Sequence, residues 1–422
     1  MFDAGFAAAD LTPRGKSRGC DINGFIARKQ PALGVKKPVK GRVLALQAGR
    51  FRAIVAVCDL LGFSLKDSLR IETSMGRAAG TPAGNVLLAC THTHSGPVSM
   101  PLGTVGRFRP AYVARIKRDL TRAARQAVRD MTPVVDVRLG GGDASDLGGF
   151  RCATSEPGRD RWPGRFTVLA LERRGADPII VLHLGVHPYV LGPRNRYVHP
   201  DYPGDTCDEL ERRAGGRALF VPGCGADIHP IPPGTNSTAA VRRFGRSLAS
   251  RTLKALDTAQ GIDLSPARSA VASPLIRYGF LPPQPRTQSK EGAVRMLQTK
   301  DDRVARNLRE WTEGLRTGAC PRALRFRTHI LRLGQLMLIG MPAELFYDTG
   351  EDLSRALPGV RVLTVSQAGG DVGYLPRPFA YKHRTYEASS AHQWYRTAGA
   401  AVRGTEAAVR RAVAARARRL LA

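Results

Sequence analysis

The sequence predicts an α/β fold: a single layered domain whose mixed parallel and antiparallel sheet is flanked by helices, with a site at strand carboxyl ends. Three observations carry this. Short apolar runs alternate with amphipathic segments of helical period along all 422 residues. Two tight links, at Gly175–Asp177 and at Leu333-Gly334-Gln335, read as hairpins, so antiparallel pairs mix with parallel ones. Several apolar runs are followed at once by His, Asp, Glu or Tyr.

In chain order, strands are expected at 43–47, 53–60, 86–90, 134–139, 166–173, 178–187 and 218–221, then at 267–272, 324–333, 335–340 and 360–365. Helices are expected at 111–131, 239–257, 300–317 and 405–421. The last carries Val409, Val413 and Leu420 on one stripe among arginines, which suits a terminal helix docked on the core or one lying on a membrane surface. The Pro- and Gly-rich stretches 188–205 and 229–237 are too short for linkers, and no internal repeat stands out.

Seven scattered cysteines with no Cys-x-x-Cys pair fit a reducing compartment, and the cytoplasm is the expected location. The first residues lack a basic segment followed by an apolar one, so no signal peptide is expected, and no apolar run suits a membrane span. The formal charge of +30 invites a nucleic-acid reading, but the basic residues are dispersed and mostly Arg, with no basic tail. An arginine-rich solvated surface is the expected account; an anionic substrate or a peripheral membrane contact is the alternative.

The chemistry concentrates after the apolar runs. Val86–Cys90 leads into Thr91-His92-Thr93-His94, and two histidines at i and i+2 of a strand would project from one face. Such a pair suits a divalent metal, or one ligand and one proton carrier. Further runs lead into His187, into Asp227, into Glu344, and into Asp371 and Tyr374. Each has a plainer role open to it. His187 could be a core histidine, Glu344 a helix cap, Asp227 a turn former, and His183 is best read as structural.

The ordered set Thr91-His-Thr-His-Ser-Gly-Pro97, Val186-His-Pro188, Phe220–Pro230, Pro342-Ala-Glu344 and Gly373-Tyr374 resembles the motifs of the neutral/alkaline, non-lysosomal ceramidases. Gly5–Pro13 and Gly192–Gly204 are also similar to segments of that family. These enzymes are zinc-dependent amidases that cleave the fatty-acyl amide of ceramide. The resemblance implies Zn²⁺ held by His92, His187, Glu344 and Tyr374, with His94, Arg151 and Tyr386 as the catalytic groups. It implies hydrolysis of a C–N amide bond by a zinc-bound water, on a lipid-like or other small amide. Arg151 and Tyr386 suit a developing oxyanion, His94 suits proton transfer, and Asp201 and Asp227 are expected to orient the ligand histidines. Residues 1–422 are expected to be the catalytic domain alone, without the carboxyl-terminal β-sandwich that ceramidases typically carry. Three alternatives stand beside this reading. They are a zinc esterase or amidohydrolase on a non-lipid substrate, a metal hydrolase on a (β/α)₈ barrel, and a basic protein that binds nucleic acid or an anionic surface.

Overall fold

In the computed structural model, which describes residues 2–14, 20–103, 105–152, 154–279 and 302–422, one βββαβα unit occurs three times. In the first unit the strands Phe2–Asp10, Lys40–Ala48 and Phe51–Cys58 form an antiparallel meander. The helix Leu65–Ala79 then crosses over, Val86–Cys90 lies parallel to Phe51–Cys58, and the helix Pro110–Arg129 closes the unit. The second unit repeats this with the strands Thr132–Asp143, Arg165–Arg173 and Ala176–Leu184, the helix Asp201–Ala214, the parallel strand Arg217–Pro222 and the helix Thr238–Asp257. The third has the strands Ala267–Ala272, Thr328–Leu333 and Leu336–Gly340, the helix Tyr347–Ala356, the parallel strand Arg361–Val365 and the helix Thr405–Arg418.

The first two units join through the antiparallel pairing of their first strands into a nine-stranded sheet with a parallel pair towards each edge. The third unit forms a separate four-stranded sheet. Side-chain alternation sorts the strands between layers. Val86 and Leu88 face the first helix pair while Leu87 and Ala89 face inward. Ala218 and Phe220 face the second helix pair while Leu219 and Val221 face inward. Met337 and Ile339 face the third helix pair while Leu336 and Leu338 face inward. The inward sets meet as one core between the two sheets, giving helices, sheet, sheet and helices.

This confirms the α/β class and the mixed pairing, and it excludes the barrel alternative, because the centre of the large sheet is antiparallel. It corrects the picture of one sheet: strands buried on both faces read as uniform apolar runs, which do not say how many sheets they form. The stretch expected at 324–333 is two strands, Ala323–Arg325 and Thr328–Leu333. The expected loop at 188–205 ends inside a helix, since Pro203 and Gly204 fall in the first turn of Asp201–Ala214, where a missing N–H costs nothing. The helix Thr405–Arg418 docks on the core through Val409 and Val413. Among the described residues no helix is long and apolar enough to cross a membrane. All seven cysteines are free.

The interlayer core generates a direct expectation. Leu219 is 0% exposed between the sheets, whereas Leu69 is 44% exposed on the helix Leu65–Ala79. Leu219→Ala is expected to cost roughly 2–5 kcal/mol and lower the thermal unfolding midpoint. Leu69→Ala is expected to stay within about 0.5 kcal/mol.

Candidate metal centre

The carboxyl ends of the three parallel strand pairs converge, and main-chain bonds tie them together. Cys90 N–H donates to the Gln367 carbonyl, Ser366 to Pro222, Gln367 to Ala343, and Ala226 to Leu345. From these ends come His92 and His94 (first unit), His187 (second) and Glu344, Asp371 and Tyr374 (third). The parallel pairing Glu344–Leu345 with Tyr374–Leu375 sets Glu344 beside Tyr374 in register.

His92 and His94 meet with ring centroids 5.2 Å apart, but not by strand geometry. The strand stops at Cys90, and His92 has φ 67°, a left-handed conformation rare outside glycine. Its N–H donates to the Leu60 carbonyl, so the loop after Phe51–Cys58 imposes this turn. Gly24 at φ +104° lies against His94, where any Cβ would come within 2.5 Å of the imidazole, and Phe25 packs edge-on to that ring at 4.8 Å.

Each ligand-type imidazole is held from behind. His92 Nδ1 lies 2.8 Å from the Leu61 carbonyl and His187 Nδ1 3.2 Å from the Gly225 carbonyl. A carbonyl only accepts, so each Nδ1 carries the proton and each Nε2 presents its lone pair inward. There, His92 Nε2 is 3.4 Å and His187 Nε2 3.9 Å from Glu344 Oε2, which is buried and has no hydrogen-bond partner. Ligand atoms of His92, His94 and His187 fall within 4.8 Å of one another, as do those of His92, Glu344 and Asp371. Two neutral nitrogens around an orphaned carboxylate oxygen fit a divalent cation of the zinc type.

Electrostatics agree. Burial pushes His94 and His187 well below the usual imidazole range, with nearby Arg151 and other imidazoles adding to it, so both are neutral. Burial also opposes charge on His92, yet the Glu344 carboxylate raises its pKa overall. Asp371, buried beside Glu344, is pushed up to about 7.

Tyr374 stands between Tyr386 and Tyr395, with ring centroids at 6.0 and 6.2 Å. Its hydroxyl accepts from Arg151 Nη2 at 2.9 Å, and the same nitrogen lies 2.9 Å from Glu387 Oε1. Arg151 and Tyr386 therefore share one wall of the centre with Tyr374. His94 Nε2 lies 3.0 Å from His187 Nε2, at the edge of the ligand set. Asp201 and Asp227 do not reach the imidazoles. Asp201 accepts from the N–H groups of Val190, Leu191 and Tyr202, and so fixes the loop after His187. Asp227 pairs with Arg159 and accepts from the Tyr347 N–H. Neither orients a ligand histidine, because the carbonyls of Leu61 and Gly225 already occupy the outer imidazole nitrogens. His183 bonds the Thr364 carbonyl inside the fold, as a structural histidine does.

Sequence reasoning missed Tyr395, whose hydroxyl donates to Glu344 Oε1 and leaves Oε2 facing the imidazoles. Gly373, at φ +84°, makes room for it, since a Cβ there would meet the Tyr395 ring at 2.8 Å. It also left Glu387 unassigned, although this residue adjoins Tyr386.

Two outcomes are expected. Tyr395→Phe frees Glu344 to rotate and should weaken the affinity for an added divalent cation roughly 10- to 100-fold, measured by chelator competition with the fold intact by circular dichroism. The second concerns the metal-free protein. Because the folded-state pKa of Asp371 is raised, the folded state holds a proton that the unfolded chain releases, and stability falls as pH rises from about 4 to 7. Asp371→Asn should therefore raise the metal-free unfolding midpoint at pH 8, with the gain shrinking below pH 4. An unchanged midpoint at pH 8 contradicts this.

No protein-family model matches the chain, and no curated protein matches it either. Solved structures do. A ceramidase complexed with C2 superposes with a TM-score of 0.78 at 17% identity, over 100% of this chain and 75% of that one. The neutral ceramidase from Pseudomonas aeruginosa superposes with a TM-score of 0.76 at 18% identity, over 99% of this chain and 74% of that one. Over its whole length, the chain has the fold of the ceramidases.

Proposed function

We propose that the protein is a zinc-dependent amidohydrolase that cleaves the C–N bond of an N-acyl amide, with Zn²⁺ held by His92, His187, Glu344 and Tyr374. One observation supports this above the rest: two imidazoles, each fixed from behind by a main-chain carbonyl, turn their Nε2 atoms toward the unpartnered Oε2 of Glu344. The ceramidase fold of the whole chain supports the same reading.

When bound, zinc acidifies a water to a pKa of about 7 and polarises an acyl oxygen. The protein's own groups divide the remaining work. Hydrolysis forms a C–O bond at the acyl carbon, breaks the C–N bond, and delivers the water's proton to nitrogen. His94 is neutral, lies beside His187 and has an unpartnered Nδ1, so it is free to carry that proton. Arg151 holds the Tyr374 oxygen and opposes the rise that burial causes in its pKa, which favours the phenolate that a metal ligand must be. Tyr386 is 44% exposed on the same wall, where its O–H can meet a developing oxyanion.

His92→Ala and Tyr374→Phe are expected to lose bound zinc and amide hydrolysis together, read by metal analysis and product assay. Tyr386→Phe should retain zinc and lose roughly 100- to 1000-fold in kcat. Full zinc occupancy with undiminished hydrolysis in both ligand variants would overturn the assignment. A screen of N-acyl amines, N-acyl amino acids, ceramide and acyl esters tests the bond type.

A further inference from the structure

A cavity of about 320 Å³ opens beside Pro97 and Val98, and none of the metal-centre residues lines it. Tyr112 completes its apolar wall. That ring is fixed: its hydroxyl donates to the Leu11 carbonyl at 2.7 Å, and the Arg115 guanidinium lies 5.4 Å from its centre. Val98 N–H donates to the Asp21 carbonyl and Asn23 N–H to the Gly96 carbonyl. The two segments that border the cavity are thus tied together, and its shape is preformed.

Four arginines line this cavity, against the single carboxylate of Asp21. Asp21 Oδ2 already accepts from the Arg107 N–H at 2.6 Å, and Arg115 is held by Asp119 and by the Leu11 and Thr12 carbonyls. Arg14, Arg107 and Arg109 are exposed, and among the described residues none of them makes an ion pair. Other exposed arginines do find partners, as Arg212 does with Glu209 and Arg316 with Glu313. Three like charges around one concavity repel one another, and a bound anion relieves that repulsion. The helix Pro110–Arg129 begins at the same wall with no acidic residue in its first turn, which adds to the positive field.

The number of charges and the apolar wall together select the anion. A carboxylate offers one charge and two oxygens. A phosphate monoester offers three acceptor oxygens and a charge of about −1.5 to −2 at pH 7, so it can meet three guanidinia at once. Its organic group would cover Pro97, Val98 and Tyr112, which inorganic phosphate would leave in water. We propose that this cavity binds the phosphate monoester of a small, largely apolar alcohol or phenol, separately from the metal centre.

The test titrates phenyl phosphate into the full chain by calorimetry, with inorganic phosphate, phenol and phosphatidate vesicles for comparison. One series contains zinc and one does not, because a phosphate can also bind a metal. Phenyl phosphate is expected to bind equally in both series and roughly tenfold tighter than inorganic phosphate, while phenol does not bind. Combining Arg107→Ser with Arg109→Ser should weaken binding at least roughly tenfold. Arg118→Ser, exposed further along the same helix and outside the cavity, should leave it unchanged. Equal affinity for inorganic phosphate means an adventitious ion only and overturns the proposal. So does binding that requires zinc, which puts the ester on the metal, or an equal loss in Arg118→Ser, which shows general charge attraction. Binding to vesicles alone makes the cationic rim a lipid contact and overturns the soluble ligand. No binding of phenyl phosphate overturns the site outright.

Discussion

Two hydrogen bonds, from His92 Nδ1 to the Leu61 carbonyl and from His187 Nδ1 to the Gly225 carbonyl, fix what the centre can do. Without them each imidazole could present either nitrogen at more than one angle. With them both tautomers are set, and both lone pairs point at Glu344. Main-chain carbonyls are well suited to this task because they neither titrate nor rotate independently of the fold. The cost is that the loops carrying them must be held rigidly. That explains why so many bonds at the strand ends run from main chain to main chain, as from His187 to Ile228 and from Ala226 to Leu345.

The three βββαβα units supply that rigidity. Each ends a parallel strand pair at the centre, and each contributes at least one residue to the site. Because the core between the two sheets is shared by all three units, no unit can shift without disturbing apolar packing across the molecule. Glu344 approaches the histidines from the opposite sheet, so the donor set is complete only when the two sheets pack. A cation held here would bridge groups from both sheets, so its binding and interlayer packing would be coupled.

Much of this was legible in sequence. The strands 86–90 and 267–272 were placed to the residue, and residues after four of the five apolar runs do meet at one centre, the run before Asp227 being the exception. The reasoning behind the His92–His94 pair was wrong in detail, since strand alternation does not operate past Cys90 and the left-handed turn at His92 does the work instead. Nothing local could reveal that turn, because it is imposed by Leu60 and Leu61, some thirty residues earlier. Tyr395 was equally hidden: it lies in a short helical turn, His392–Tyr395, with no neighbouring motif, and only the fold sets it against Glu344. The roles expected of Asp201 and Asp227 failed because sequence shows which residues can orient a histidine but not which acceptor arrives first.

Net charge was the feature most open to misreading, and burial changes its meaning. An arginine-rich solvated surface explains only part of the +30. Arg42, Arg159 and Arg173 are buried and clamp carboxylates or carbonyls between elements. Arg159 is the clearest case: it lies 3.9 Å from the Phe150 ring centroid and 4.1 Å from that of Phe379, and it pairs with both Asp227 and Asp348. Phe150 immediately precedes Arg151, and the Arg151 N–H donates to the Asp227 carbonyl. One buried guanidinium therefore braces both the segment that delivers Arg151 and the turn that leads from Gly225 to Ile228. A lysine there would keep the charge but lose the planar stacking and the two-sided fork, so the choice of arginine follows from what the centre requires of its scaffold.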